Sequence, residues 1–228
     1  MFPQICIWHE YPDVALLYQR AAEGIERVAA EAIARQGAFS IVLAGGGTPR
    51  AVYQHLRHIH TEWRAWHVYF GDERCLPVDD PERNSVMAGE CWLGHVPIPD
   101  AQIHRIPVQL GAEAAALRYS TVLEEIENFD LVLLGLGQDG HTASLFPGQE
   151  WGREETQAAV LAVHDAPKPP LDRVSLSAWR LSHAARVWFL VTGQDKREAV
   201  QAWRTHENIP AASIVPHRGV EIWLAGVF

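Results

Sequence analysis

The chain has 228 residues, of which 48% are hydrophobic and 21% charged, and its formal net charge is −9. These proportions are typical of a globular protein with a buried core. No linker, repeat or low-complexity segment interrupts the sequence, so we expect a single domain over residues 1–228. The acidic balance argues against sequence-independent nucleic-acid binding, and we predict no nucleic-acid partner. The acidic balance does not exclude a small anionic ligand, because the electrostatic field of one site can oppose the net charge of the protein.

The three cysteines, Cys6, Cys75 and Cys91, form no CxxC pair and are odd in number. This argues against a disulfide framework and a zinc cluster, and we predict no metal. The N-terminus lacks the basic-then-apolar pattern of a signal peptide, and no apolar run approaches the roughly 20 residues that span a bilayer. We therefore predict a cytoplasmic protein that does not bind membranes. The sequence leaves its oligomeric state open.

Strand-like and helical patterns alternate from the start of the chain. Residues 5–8 predict a short first strand. Residues from about 13 to 35 carry apolar side chains at three- and four-residue spacing, which predicts a long helix that Asp13 caps and Gly37 ends. The run FSIVLAGGGTPRAVYQHLRHI then predicts a strand, a glycine turn and a helix with Thr48 at the cap position.

The alternation continues to the end of the chain. Residues 66–70 predict a strand that ends in a charged loop, helical patterns follow near 83–92 and 112–127, and residues 129–134 are typical of a buried strand. RVSLS, ARVWFLVTG and VEIWLAG predict further strands, with a short helix in QDKREAVQAWR. Together these elements predict an α/β fold with a doubly wound, mostly parallel sheet and helices on both faces. Ligands of such sheets bind at the carboxyl ends of the strands.

The glycine turn LAGGGTP has the composition of an anion-binding loop. Gly46 and Gly47 let the backbone approach a phosphate, the following helix supplies free N–H groups, and Thr48 adds a hydroxyl. A tight turn without a ligand would use the same glycines. The loop is neither a Walker A motif nor a complete GxGxxG, which argues against a nucleotide-binding oxidoreductase.

A second strand end, FGDERCLP, brings charges of both signs together. Arg74 could clamp an anion or polarise a carbonyl, and Asp72 could act as a base or hold another side chain. Asn84, further along, could contact a ligand through its amide or cap a helix. The alternative is a solvated charge cluster.

The loop GLGQDGHTASLFPG, which follows residues 129–134, carries an acid and a histidine. Asp139 lies two positions before His141, and Gly140 permits the bend that lets both side chains enter one pocket. A carboxylate beside an imidazole fixes its tautomer and makes it a better proton acceptor. The alternatives are that His141 caps a helix or binds a phosphate as a cation.

Two later stretches present cations. DAPKPPLDRVSLS holds Lys168 and Arg173 ahead of a strand, in a loop that prolines stiffen. VTGQDKREAV places Lys196 in the first turn of a helix, where the helix dipole disfavours a positive charge. This placement suggests that Lys196 binds an anion, although a solvent-exposed lysine is the alternative.

Five stretches of the chain resemble the 6-phosphogluconolactonase family. They are LAGGGTP, FGDERCLPVDDPERNSVMA, FDLVLLGLGQDGHTASLFPG, APKPPLDRVSLS and TGQDKREA, in order from residue 43 to 198. The resemblance implies a Rossmann-like α/β fold shared with glucosamine-6-phosphate deaminases. It also implies hydrolysis of 6-phospho-D-glucono-1,5-lactone to 6-phospho-D-gluconate in the oxidative pentose phosphate pathway, without a metal or cofactor.

The resemblance also implies roles for single residues. His141 matches the catalytic histidine proposed for the family, and Arg74, Lys168 and Arg173 match basic positions around the substrate. The family often has Ser before the asparagine that matches Asn84, whereas this chain reads RNS. The related deaminases carry an aromatic residue where this chain has Arg74, and an arginine beside an ester carbonyl suits hydrolysis.

The expected reaction is attack of water on the lactone carbonyl. We predict that His141 takes the proton from water, that Asp139 orients His141, and that Arg74 stabilises the oxyanion. The residues predicted to hold the rest of the substrate are Gly46, Gly47, Thr48, Asp72, Lys168, Arg173 and Lys196. The alternatives are an isomerase or deaminase that acts on an amino-sugar phosphate, and a non-catalytic sugar-phosphate sensor.

Overall fold

The structure, a computed structural model, describes residues 4–228. In chain order, the strands of this range are β1 (Cys6–Tyr11), β2 (Phe39–Leu43), β3 (Trp66–Phe70), β4 (Asp72–Arg74), β5 (Ile103–His104), β6 (Phe129–Leu134), β7 (Val160–Val163), β8 (Arg173–Leu176), β9 (Ala184–Thr192) and β10 (Val220–Ala225). Its α-helices are α1 (Val14–Gln36), α2 (Gly47–Leu56), α3 (Asn84–Cys91), α4 (Ala112–Leu123), α5 (Ala178–Ser182) and α6 (Arg197–Arg204).

Seven strands form the central sheet, in the order β1-β10-β9-β6-β2-β3-β5. Every pairing between neighbours in this sheet is parallel. From β2 to β5 the chain adds strands toward one edge of the sheet, and from β6 to β10 it adds them toward the other edge. Because the crossovers between parallel strands are right-handed, the helices of the two halves lie on opposite faces of the sheet. The predicted α/β fold with a doubly wound parallel sheet is confirmed.

Strands β2 and β6 are neighbours at the centre of the sheet, and the chain leaves them in opposite directions. From β2 it continues to β3 on one side, whereas from β6 it continues toward β9 on the other. The loops after β2 and β6 therefore diverge and leave a crevice at the carboxyl edge of the sheet. This topology sets the position of the site.

A second, smaller sheet is the main departure from the predicted architecture. It has three antiparallel strands in the order β4-β8-β7. RVSLS forms β8 and so joins this small sheet rather than the central one. Strand β4 has three residues, all of them charged, and gives no apolar alternation from which a strand could be predicted.

Local sequence rules account for the longest helix. Asp13 caps α1, because its carboxylate accepts a hydrogen bond from the Leu16 N–H at 2.8 Å. The helix ends at Gly37, whose φ of 78° is the left-handed conformation that glycine adopts without strain. Both predicted ends are confirmed.

In residues 4–228, no helix combines the length and the apolar character that crossing a membrane requires.

Candidate active site

An open cleft of about 220 Å³ lies at the carboxyl edge of the central sheet. Its walls are the loops after β2, β6 and β9, together with parts of β4, α3 and the segment that leads into β8. The lining residues are Ala44, Gly45, Gly46, Asp72, Arg74, Asn84, Gly135, Leu136, Gly137, Gln138, His141, Thr142, Ala143, Lys168, Arg173 and Lys196. Four cations and a single carboxylate line this cleft, so it is basic although the protein is acidic.

His141 and Asp139 form a direct pair at the cleft. The imidazole Nδ1 lies 2.5 Å from Asp139 Oδ1, which also accepts the backbone N–H of His141 at 3.1 Å. Partial burial acts to raise the pKa of Asp139, but the hydrogen bond from His141 and the attraction between the two groups outweigh it and lower that pKa. Asp139 therefore remains ionised at neutral pH and orients the ring so that Nε2 is available to a substrate.

The glycines of this loop make room for the imidazole. A Cβ on Gly137 would lie 1.9 Å from His141 Nδ1, so the ring fits against residue 137 only because that residue has no side chain. Gly140 has a φ of 84°, which provides the bend between the acid and the histidine. The ring also contacts Phe146, with 4.9 Å between ring centroids. Backbone and side chains thus fix one ring position.

We expect Gly137→Ala to lower kcat by about tenfold or more, because the added methyl group displaces the His141 ring from its position. Steady-state kinetics on the purified variant would measure the effect. The control is Gly89→Ala in α3, where an added Cβ meets no atom within 4 Å. Gly137→Ala with full turnover would show that the ring can shift without cost.

Arg74 and Arg173 face each other across the small sheet. They are register partners in the antiparallel pair of β4 and β8, and Asp72 and Ser175 are the next such pair on the same face. Like charges directly opposite each other destabilise a sheet. An anion bound between the two guanidinium groups would relieve this repulsion, so the pair indicates an anion site.

Arg173 also shapes the loop that carries Lys168. The residue is 7% exposed, and its guanidinium donates hydrogen bonds to the carbonyls of Lys168 at 3.0 Å and Pro170 at 3.2 Å. Burial lowers the pKa of Arg173; the charge of Asp72 opposes this effect, and the charge of Arg74 adds to it. Arg173 thus holds the Lys168 loop against the cleft.

The guanidinium of Arg74 uses only part of its hydrogen-bonding capacity within the described residues. One terminal nitrogen of its guanidinium donates to the carbonyl of Glu82. Its Nε is buried and has no hydrogen-bond partner among the residues that the structure describes. A buried donor without an acceptor is costly.

Asn84 neither caps α3 nor lies in solvent. Its amide donates to the carbonyl and to the Oδ1 of Asp72, both at 3.0 Å, and Arg83 occupies the N-cap position of α3. A Cβ on Gly45 would lie 1.9 Å from Asn84 Oδ1, so the amide also packs against the glycine loop after β2. Asn84 therefore links that loop to Asp72.

Glu73, for which the sequence predicts no role, is fully buried beneath the cleft. Its carboxylate accepts the backbone N–H groups of Arg74 at 2.9 Å, Asn84 at 2.7 Å and Ser85 at 2.9 Å. It also faces the buried Arg83 guanidinium at 3.5 Å. Glu73 thus ties the first turn of α3 to β4, ten residues earlier. Its place in the charged run GDER gave no signal of this burial.

We expect Glu73→Gln to lower the free energy of unfolding by about 1–3 kcal/mol, because an amide turns a donor toward backbone N–H groups that need an acceptor. Denaturant unfolding would measure the change. The control is Glu125→Gln at an exposed position. An unchanged denaturation midpoint for Glu73→Gln would contradict the role assigned to this carboxylate.

The glycine loop after β2 reaches the cleft through Gly46. The predicted cap at Thr48 is wrong: Gly46, with a φ of 99°, is the N-cap, and no side chain caps α2. The glycine can adopt this conformation, which a threonine avoids. The Thr48 hydroxyl instead lies 2.6 Å from the Thr192 hydroxyl, and neither Gly47 nor Thr48 lines the cleft. The uncapped helix N-terminus beside Gly46 is a place where an anion binds well.

Lys196 approaches the cleft from the loop after β9. It lies at the end of a short 3₁₀ turn, Gln194–Lys196, that leads into α6. Its ammonium is 2.9 Å from Asp195 Oδ2, and the Gln138 amide donates to the same carboxylate oxygen at 3.1 Å. Asp195 thus connects the lysine to the loop that carries His141.

Within residues 4–228, no group of three His, Cys, Asp or Glu side chains could hold a metal ion.

Comparisons with known proteins identify the family of this chain. A family model described as glucosamine-6-phosphate isomerases/6-phosphogluconolactonase matches residues 12–223. The 6-phosphogluconolactonase of Mycobacterium bovis is 36% identical over 231 residues, which cover 94% of this chain and 93% of that protein. The GDH/6PGL endoplasmic bifunctional protein of Homo sapiens is 36% identical over 97% of this chain, and the chain spans 29% of its length.

Solved structures share the fold over nearly the whole chain. The 6-phosphogluconolactonase of Thermotoga maritima matches with a TM-score of 0.88 at 25% identity, over 97% of this chain and 100% of that one. That of Trypanosoma brucei matches with a TM-score of 0.82 at 28% identity, over 97% of each chain. A monomeric glucosamine-6-phosphate deaminase has the same fold, with a TM-score of 0.84 at 21% identity over 97% of this chain and 98% of that one. The chain therefore belongs to the family of glucosamine-6-phosphate isomerases and 6-phosphogluconolactonases.

Proposed function

We propose that this protein hydrolyses 6-phospho-D-glucono-1,5-lactone to 6-phospho-D-gluconate, the lactonase step of the oxidative pentose phosphate pathway. The observation that carries the proposal is the Asp139–His141 pair at a cleft lined by four cations. A proton acceptor beside an anion site suits hydrolysis of a phosphorylated ester. The 36% identity to a protein named 6-phosphogluconolactonase, over nearly the full length of both chains, supports the same substrate.

In the proposed reaction, His141 acts as the general base. Its Nε2 takes a proton from water as the water oxygen attacks C1, and the imidazolium returns that proton to the ring oxygen when the C1–O bond breaks. Asp139, whose side chain is exposed, orients the ring through Nδ1 and stabilises the imidazolium, as the acid of a Ser-His-Asp triad does. A base positioned in this way contributes about 10²–10⁴-fold to the rate.

The proposed role of Arg74 is to stabilise negative charge on the carbonyl oxygen. Arg74 lines the cleft, and its bond to the Glu82 carbonyl holds the guanidinium in position before the charge develops. A donor that is fixed in advance costs no reorganisation during the reaction. The facing Arg173 adds positive charge to the same wall of the cleft.

We propose that the phosphate binds at the N-terminus of α2, beside Gly46. This end of the helix is uncapped, and its N–H groups suit an anion. Gly46 lines the cleft and would contact the phosphate directly; Gly47 and Thr48 lie behind the lining and would act through the dipole of the helix end, because the Thr48 hydroxyl bonds Thr192. Lys196 and Lys168, which also line the cleft, supply the further charge.

A coupled assay tests the proposal. Oxidation of glucose 6-phosphate by a separate dehydrogenase generates the lactone in situ, and formation of 6-phospho-D-gluconate is followed with and without the protein. We expect a rate far above that of spontaneous hydrolysis. A rate equal to the background would contradict the proposal. Ammonia release from glucosamine 6-phosphate would instead identify a deaminase.

We also propose that residues 1–228 form one lactonase domain and that the protein is cytoplasmic. One apolar cluster includes buried residues from Leu17 in α1 to Val227 after β10, which supports a single folding unit. Cys6, Cys75 and Cys91 are free thiols, as suits a reducing compartment. A single cooperative unfolding transition and recovery in the cytoplasmic fraction are the expected results.

A further inference from the structure

A buried polar cluster lies beneath the cleft, between the loop of His141 and the small sheet. We call it the Asp72 junction; its members are Asp72, Asn84, Ser144 and Ser175. None of them is more than 7% exposed. Asp72 accepts a hydrogen bond on Oδ1 from Asn84 at 3.0 Å and one on Oδ2 from the Ser144 hydroxyl at 2.7 Å. Both carboxylate oxygens therefore have side-chain donors.

Ser144 is the member of the junction that belongs to the His141 loop, three residues after the histidine. Its hydroxyl bonds Asp72 on β4, and its backbone N–H donates to the Ser175 hydroxyl on β8 at 3.2 Å. One residue thus attaches the loop to both strands that carry the arginines of the cleft. The loop has other attachments, from the Ala211 N–H to the Gly140 carbonyl at 3.1 Å and from the Gln138 amide to Asp195 at 3.1 Å, but neither of them reaches the small sheet.

The backbone next to Ser144 adopts an unfavourable conformation that its surroundings must maintain. Ala143 has a φ of 48°, in the left-handed region that residues with a side chain avoid. Such a conformation persists where the surrounding contacts determine it. The two bonds of Ser144, at the next position, supply such contacts.

We propose that Ser144 is a positioning residue for the proposed hydrolysis: by bonding Asp72, it sets the distance between the His141 imidazole and Arg74, two residues beyond Asp72. The inference rests on the proposed function, because it assigns His141 and Arg74 to the same reacting carbonyl. Ser144 itself touches no substrate in this scheme. It acts through the loop on one side and through β4 on the other.

The pairing of the strands determines which kinetic constant should change. Arg74 and Arg173 are held opposite each other by the backbone pairing of β4 and β8, which does not involve the Ser144 hydroxyl. Loss of that hydroxyl should therefore leave the two arginines and the proposed phosphate site in place and loosen the connection between the His141 loop and β4. A misplaced base lowers kcat while substrate binding is retained.

The test compares Ser144→Ala with Ser177→Ala. Ser177 is also fully buried, and its hydroxyl caps α5 by accepting from the Arg180 N–H at 3.2 Å, so its loss destabilises the protein without contact with Asp72. We expect Ser144→Ala to lower kcat by about 10- to 100-fold. Its KM for the lactone and its inhibition constant for 6-phospho-D-gluconate should stay within about twofold of the wild type. Ser177→Ala should lower Tm and keep the wild-type kcat.

Each outcome decides the inference. A Ser144→Ala kcat equal to that of Ser177→Ala, or a rise in KM in place of a fall in kcat, overturns it. If Ser144→Ala does not fold, Ser144→Cys, with a similar volume and a weaker donor, takes its place: reduced kcat at unchanged KM supports the inference, and unchanged kcat overturns it. A wild-type protein without lactonase activity would refute the proposed function itself, which is a distinct result.

Discussion

Replacing His141 with alanine is expected to lower kcat for lactone hydrolysis by about 10²–10⁴-fold, the usual contribution of a positioned general base. The variant keeps the cations of the cleft, so its affinity for 6-phospho-D-gluconate should stay close to that of the wild type. Stopped-flow or coupled kinetics for turnover, and calorimetry for binding of the product, would measure the two effects separately. Unchanged binding with lost turnover is the signature of a group that acts in the transition state.

The pH dependence sharpens this prediction. Only an unprotonated imidazole accepts a proton from water, so kcat/KM of the wild type should fall as the solution becomes more acidic. Although partial burial acts to raise the pKa of Asp139, the hydrogen bond from His141 lowers it, so this carboxylate stays charged near neutral pH and does not itself cause the fall. In His141→Ala the residual rate should lack this acid limb.

The control for this variant is His60→Ala, at an exposed position outside the cleft, which should keep the wild-type profile. A His141→Ala variant that hydrolyses the lactone at the wild-type rate would exclude His141 as the base. A variant that loses affinity for 6-phospho-D-gluconate together with its activity would indicate instead that His141 binds the substrate as a cation.

The central sheet could be predicted because its signals are local. The strands over 66–70 and 129–134 have the predicted bounds, since each is a short apolar run between turn residues. The ends of α1 follow from Asp13 and Gly37 for the same reason. The rule that ligands bind at the carboxyl edge of such a sheet then places His141 and the glycine loop in one cleft.

The small sheet and the support beneath the cleft could not be predicted, because they depend on pairs of residues far apart in the chain. Arg74 and Arg173 pair across 99 positions, and Ser144 bonds Asp72 across 72. A glutamate is usually exposed, and nothing in the local sequence distinguishes Glu73 from an exposed one. It becomes a buried hydrogen-bond acceptor only because α3 packs against it. Sequence periodicity carries information about the burial of an element but not about its partner.

Replacing Arg74 with methionine is the second change from which we expect a large effect, a loss of about 10²–10³-fold in kcat. Methionine keeps much of the apolar stem and removes every donor, including the buried Nε that has no acceptor in the described part of the chain. Arg74→Lys restores a charge but not the planar guanidinium, so it should recover little of the rate. Steady-state kinetics on both variants would measure the losses.

The two Arg74 variants separate charge from hydrogen-bond geometry. If Arg74→Lys has the wild-type kcat, a point charge is sufficient and the planar guanidinium has no special role. If Arg74→Met stays within a few-fold of the wild type, Arg173, which lies opposite on β8, stabilises the oxyanion instead. Arg118→Met on the exposed side of α4 is the matched control, because it removes the same positive charge away from the cleft and should leave kcat unchanged. We therefore expect Arg118→Met to have the kcat of the wild type and both Arg74 variants to have a far lower one. The reason is that the negative charge of the transition state is stabilised by a donor that the cleft already holds in position.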